Sequence, residues 1–488
     1  MIKLQVKDVV LATMRSMLNN KRKDKALGYY TKYVTNLENE LNKSVARGFS
    51  VLAWKFDCYD LALTPIQKNG GQIWHLKNIR VHRWLRENGL ELVIDKPKLR
   101  NANNLTGEIS LVKFTNLVKL VEQNCLDNLR NMTASQLSHF LITPSIDDIK
   151  LYQPLIDEAN NLPPNQRLND YDLVEIDVHS LRSYIRMLVD GQHTLNPLQE
   201  ETNSRQAISI LRIAQLNNNL LPQKKKRSEF GRIYYEGHSV QSVHKTLRKA
   251  MLGTSFEYDA KSCAINWKYA FAQDYLDSIN SSSSVDDEFY GTQHYLFCKK
   301  EFYEQVIADT FDADSAWSHA KKAEKIKGAI TSLSFGAKMV EATWTSSNGV
   351  QKQTSIMDIL NFPDERKRFL NSPSVVRFKD EQQILDNYIS DSFRKKYPDI
   401  DSLEILKSQS GRRSQSKVIA WLYQHAETIM MDIVRDEIKK LGKTLLANVH
   451  DAVVIREQLS QSQRNSIENA VRIRTAVTNF SLGETAYT

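Results

Sequence analysis

The sequence predicts an α+β fold, and three observations carry that expectation. Long stretches, such as 111–129 and 178–188, place apolar residues three and four apart, the period of a helix with one buried face. Two short runs, 256–259 and 445–455, are aromatic or apolar along their length and are followed or interrupted by small and polar residues, the pattern of a strand and a hairpin. The 41% hydrophobic and 9% aromatic content of the 488 residues supplies a globular core, enough for about two to four domains.

Taken in order, residues 1–48 read as two basic amphipathic helices, broken between Asn19 and Asp24. Lys21, Arg22, Lys23 and Lys25 there read as a solvated helix end, with a phosphate contact as the alternative. Residues 51–56 read as a strand or a short buried helix, and Asn69, Gly70 and Gly71 as a turn. Arg80, His82, Arg83 and Arg86 read as an ordinary polar helix face, with a DNA-facing surface as the alternative. Residues 108–220 read as mostly helical, interrupted at Pro163 and Pro164. Pro222 to Arg227, with Lys224, Lys225, Lys226 and Arg227, form the sharpest charge run, flexible and basic, read as a localisation signal, an exposed linker or a contact with nucleic-acid phosphate. The four serines at 281–284 read as an exposed loop, Asn348 and Gly349 as a hairpin turn, 408–416 as a basic loop and 418–440 as a long helix.

Composition bounds the function. Lys and Arg number 66 against 57 Asp and Glu, a net charge of +9 that favours nucleic acid as partner. Cys58, Cys125, Cys263 and Cys298 are widely separated, which argues against a disulfide framework or a zinc site and suits a reducing cytoplasmic setting. No apolar run is long enough to span a membrane, and the first residues lack a signal-peptide core, so no membrane partner is expected.

The chemistry gathers around Asp259. It ends the run 256–259, and Ser262, Cys263 and Ala264 after it are small enough for a tight turn against a ligand, ahead of a helix from 265 to 271. A lone Asp at a strand end is more often a cap or turn residue than a metal ligand. A second acid, Asp451, follows His450 at the expected hairpin tip. Between the two, Lys327, Thr331, Phe335 and Lys338 fall at helical spacing on one face. Two carboxylates and a basic helix are the parts needed for phosphoryl transfer with two divalent ions held roughly 3.5–4 Å apart. Hard oxygen ligands suit Mg²⁺, and the lysines would neutralise triphosphate charge.

These residues also resemble a family. Asp259 with Ser262, Cys263, Ile265 and Asn266 is similar to motif A of the bacteriophage and mitochondrial single-subunit RNA polymerases. Lys327 to Lys338, with Thr331, Phe335 and Gly336, resembles their motif B, and Val449, His450 and Asp451 resemble motif C. Gly231, Arg232, Gln241 and Arg248 resemble the segment that precedes motif A in the wider family A polymerases. The pieces follow the family's order over roughly residues 228–456.

The resemblance implies a right-hand polymerase fold of palm, fingers and thumb. Its regions would be a mainly helical N-terminal region at 1–107, a helical thumb-like region at 108–222, palm at 223–289, fingers at 290–379 and the rest of the palm at 380–488. It implies a compact DNA-dependent RNA polymerase: Asp259 and Asp451 as ligands of two Mg²⁺ ions, Lys327 on the departing pyrophosphate, and Phe335, Gly336, His425, Arg232 and Ala264 around the nucleotide. DNA template, RNA product and nucleoside triphosphates would be its partners. The alternatives are a primase, a family A-like DNA polymerase, or an inactive nucleic-acid-binding accessory protein.

Departures from the pattern sharpen the expectation. Family A DNA polymerases crowd the ribose hydroxyl with a Glu where this chain has Ala264, and follow the motif C Asp with Glu where it has Ala452. Both favour the RNA branch. Phe335 replaces the Tyr of the RNA polymerases and removes its hydroxyl. Ala323 stands where motif B has an Arg, with Lys322 or Lys325 as candidate substitutes. Little room for a promoter-reading hairpin remains between Asp380 and Ser416, so a protein partner or a single-stranded template is expected to assist initiation. No exonuclease carboxylate set stands out in the first 220 residues, so no proofreading is expected.

Overall fold

The computed structural model describes residues 2–17, 20–46, 53–55, 85–95, 109–122, 125–228, 231–312, 315, 317–336, 342–345, 351–406 and 415–487. Helix and sheet both occur, and the chain divides into two compact units. Met1–Lys226 and Tyr235–Gly253 make up most of one; Arg227–Tyr234 and Thr254–Tyr487 form the other. None of the described helices is long and apolar enough to cross a membrane.

The first unit departs from expectation in three places. Residues 1–48 begin with a strand, Ile2–Val6, paired antiparallel with Val118–Glu122, before the helices Asp8–Met17 and Asn20–Ala46. Leu4 enters a small core there with Val10, Met14, Tyr33 and Leu37. The apolar spacing of 111–129 conceals two more strand segments, Ile109–Phe114 and Val118–Glu122, and only Cys125–Arg130 is helical. The β-branched residues Ile109, Val112, Val118 and Val121 fit a pleated surface better than a helix, and a period of two overlaps a period of four at alternate positions.

The third departure is the basic run. Leu220–Arg227 is a strand, antiparallel to Tyr171–Glu175, and not a flexible linker. Its alternation buries Leu221 and Gln223, while Lys224 pairs with Glu158 at 2.9 Å and Lys225 with Asp172 at 2.8 Å. Other expectations hold. Ala53–Lys55 is a strand, Pro164 opens the helix Pro164–Asp170, and Val178–Val189 is a helix capped by Asp177. The turns at 69–71 and 348–349, the residues Arg80, His82, Arg83 and Lys338, and the loop 408–414 lie outside the described residues.

The second unit is built from β1 (Ser255–Ala260), α1 (Cys263–Tyr269), α2 (Lys299–Thr310), α3 (His319–Ser334), α4 (Pro373–Lys396), α5 (Gln415–Lys440), β2 (Leu445–Val449), β3 (Ala452–Ile455), α6 (Gln461–Thr475) and β4 (Leu482–Tyr487). The four strands form one antiparallel sheet in the order β2-β3-β1-β4. One core joins the sheet to α5 and α6 through Tyr258, Val453, Ile455, Leu422, Met430 and Ile467. A second core gathers α2, α3 and α4 around Phe302, Ile330 and Phe378. Helix α1 serves both: Cys263, Ala264 and Trp267 enter the first core and Ile265 the second.

Candidate active site

The sheet brings the two acids together. Asp259 lies near the end of β1, opposite Ala452 of β3, and the Ala260 amide donates to the Asp451 carbonyl at 2.9 Å. The β2–β3 hairpin turns through His450 and Asp451, with His450 at φ +52. That left-handed conformation is unfavourable for most side chains, though His tolerates it better than most. The His450 ring meets Tyr234 edge-on at 5.4 Å, which helps hold the turn. Gly483 of β4 lies opposite Asp259, and a Cβ there would stand 2.7 Å from Asp259 Oδ1. Glycine therefore makes room for the carboxylate.

Both acids line a cleft of about 700 Å³. Lys327, Thr331 and Phe335 line it from α3, Ala264 from α1 and Tyr423 from α5. Helix α3 ends at Ser334, so Phe335 is its C-terminal cap residue, 43% exposed, with its ring 5.7 Å from that of Tyr423. Gly336 follows at φ +78, the usual glycine stop of a helix, and its amide donates to the Leu333 carbonyl at 2.9 Å. The Lys327 ammonium makes no hydrogen bond or ion pair among the described residues. It is available to an anion in the cleft.

Electrostatics single out Asp451. Burial, then the charges of Glu427 and Asp259, push its carboxyl up to about 6, against the pull of its backbone hydrogen bond and Arg232. A cation in the cleft would relieve that strain. Among the described residues no cluster of three or more His, Cys, Asp or Glu side chains forms a complete metal cage. Two carboxylates suit a hard divalent ion that takes its other ligands from water and substrate oxygens. Burial also pushes up the Cys263 thiol and the Tyr423 hydroxyl, so both stay neutral.

Three expected nucleotide contacts, Gly336, Arg232 and His425, are not among the residues that line the cleft. Arg232 is held by Glu427 in a two-pronged ion pair, Nε to Oε1 at 2.7 Å and Nη2 to Oε2 at 2.5 Å. Burial lowers the Arg232 guanidinium, but hydrogen bonding to Glu427 and its charge more than offset this and raise it above its ordinary value. The His425 ring packs against that of Trp421, tilted at 45° with centroids 4.2 Å apart, and its Nδ1 lies 2.8 Å from the Trp421 carbonyl. Its ring also covers Gly231, where a Cβ would come within 3.0 Å.

The candidate substitutes for the missing motif B arginine are placed away from the cleft. Lys325 is buried, donating to the Ile359 carbonyl and Asn361 Oδ1, and Lys322 lies over the Phe311 ring. Sequence reasoning missed the cation that does arrive. Lys299, at the start of α2, lines the cleft and donates to Ser262 Oγ at 2.7 Å, with its ammonium 4.8 Å from the centre of the Tyr295 ring. It also missed Arg472 of α6, which lines the same cleft. Neither belongs to a local motif, so the sequence carried no signal for them.

No protein-family model matches the chain, and no curated protein sequence does. Among solved structures, it is similar to the polymerase domain of Pol1 from M. smegmatis in complex with DNA primer-template and dNTP. The identity is 12% and the TM-score 0.35, over 74% of this chain and 65% of that one. The chain thus spans less than two thirds of that protein's length, and at this distance the cleft's own residues must carry the functional reading.

Proposed function

We propose that this chain is a template-directed nucleotidyltransferase whose active site is the cleft containing Asp259 and Asp451. One observation carries the reading: two acids far apart in sequence, Asp259 on β1 and Asp451 in the turn that leads into the neighbouring antiparallel strand β3, line one cleft with a helix that offers a lysine unpaired among the described residues and an exposed aromatic ring at its end. Asp259 and Asp451 are the residues that would hold Mg²⁺, which when bound supplies Lewis acidity to the reacting oxygens and neutralises phosphate charge. In this reading the primer 3′-hydroxyl attacks the α-phosphorus in line and pyrophosphate leaves. Lys327 and Lys299 neutralise the charge that grows on the leaving group, and the Lys327 ammonium can donate it a proton. Phe335 stacks against the incoming base pair.

The finer assignment is a single-subunit RNA polymerase with palm, fingers and thumb. Ala264 supports it, because it lines the cleft and its methyl group is too small to crowd a ribose hydroxyl. DNA template, RNA product and nucleoside triphosphates are then the partners, with a protein partner for promoter or template loading. Phe335 favours the second reading, a DNA polymerase, because it lacks the hydroxyl that would favour ribose. Labelled ribo- and deoxyribonucleotides offered on primed single- and double-stranded templates test both. Template-dependent extension with ribonucleotides is expected. Binding of nucleotide and template without extension would instead support an inactive accessory protein.

A further inference from the structure

A buried lysine that the proposed chemistry does not use joins three elements of the second unit. Lys268 of α1 is 1% exposed. Its Nζ lies 2.6 Å from the Ser334 carbonyl at the end of α3 and 2.6 Å from Asp386 Oδ1 of α4. An ammonium is rarely taken from water to this extent, and burial lowers Lys268 and raises Asp386, so each depends on the other to remain charged. The place it occupies is specific. The last carbonyls of a helix lack intrahelical partners and carry the negative end of its dipole, which a cation satisfies. Ser334 is the last residue of α3, and Phe335, the ring facing the cleft, comes next.

The surroundings agree with that role. Ile265 of α1 packs into the same core as Ile330 and Leu333 of α3, so apolar contact sets the distance between the two helices. Apolar contact is non-directional, whereas the Lys268 bond is made to one carbonyl, at the last turn. Past Ser334, among the described residues, the Phe335 and Gly336 amides bond back to the Ser332 and Leu333 carbonyls and the Phe335 ring meets that of Tyr423. We infer that Lys268, held by Asp386, is a positioning residue that pins the end of α3 and thereby sets where Phe335 meets the nucleotide. This rests on the nucleotidyltransferase reading for its consequence, but not for its mechanics.

The double variant Lys268→Met/Asp386→Leu tests it, because it removes both charges and leaves apolar groups, so the core is not left with an orphan charge. Hydrogen exchange of the 331–336 amides is read alongside single-nucleotide incorporation on a primed template with Mg²⁺. Exchange is expected to accelerate about 10-fold or more, and the nucleotide KM to rise about 10-fold with kcat within about 3-fold. Adding Phe335→Ala should raise KM no further, since both changes act through one ring. Asp386→Asn is the milder variant, expected to shift both readouts the same way by about 3-fold. Unchanged exchange in both variants overturns this inference alone and leaves the pair merely structural. So does a Phe335→Ala effect that adds in full. A wild type that incorporates no nucleotide overturns the parent reading, and the positioning role with it.

Discussion

Two ion pairs of the second unit, each with one buried partner, differ in kind. Arg232 and Glu427 meet through two parallel hydrogen bonds, and the arginine stays 22% exposed while the glutamate is 2% exposed. Lys268 and Asp386 meet at one oxygen, with the lysine buried and its remaining capacity given to a helix carbonyl. The first pair keeps a firm charge next to the carboxylates, because guanidinium does not lose its proton. The second holds a compact, strongly hydrated ion where water cannot reach it, which suits fixing a position better than supplying charge. The carboxylate side of the cleft is thus tuned electrostatically and the aromatic side mechanically.

The largest effect belongs to the electrostatic side. Asp259→Ala and Asp451→Ala are each expected to lower incorporation by at least about 1,000-fold while the protein still unfolds cooperatively. Near-normal Mg²⁺-dependent extension in both variants would remove the metal assignment. Next, the asymmetry of burial predicts that Arg232→Met costs more than Glu427→Gln. The first strands a buried carboxylate, for about 3 kcal/mol, and the second leaves an arginine that can reach water, for about 1–2 kcal/mol. Chemical denaturation measures both, and equal losses would contradict the comparison.

A smaller effect should appear in the nucleotide KM. Lys299→Gln is expected to raise it about 10-fold, with Lys322→Gln near wild type, which steady-state incorporation would show.

The pH dependence of stability is a further test of the electrostatic side. Asp451 titrates at about 6 in the folded chain against an ordinary 3.8. Between those values the folded chain holds a proton that the unfolded chain has released, so stability falls as pH rises through the window. Asp451→Asn should therefore stabilise the metal-free protein at pH 8 by about 1–2 kcal/mol, and the gain should vanish toward pH 4. Thermal unfolding in chelator across that range gives the answer. The smallest effect is Phe335→Tyr, expected to shift the ribose-to-deoxyribose ratio by about 3- to 10-fold toward ribose in paired incorporation assays.

Legibility followed locality. Asp259, Asp451, Lys327 and Phe335 were readable because each sits in a short pattern whose period or turn residues announce the backbone around it. The strand at Ile2–Val6 and the two segments from Ile109 to Glu122 were misread, since their apolar residues fit more than one period and only pairing decides between them. The run Lys224 to Arg227 was misread for a related reason: consecutive basic residues look solvated until Glu158 and Asp172 are brought beside them.

The amino-acid sequence alone determined the mixed class, the helix that carries Lys327, and the hairpin that carries Asp451, because backbone preference and side-chain period act within a few residues. Only the tertiary structure decided that Lys299 reaches the cleft while Lys322 and Lys325 do not, that Arg232 is claimed by Glu427, and that Lys268 is buried under Ser334. The fate of a charge depends on which distant groups exclude water from it, and that is settled by packing rather than by neighbours in the chain.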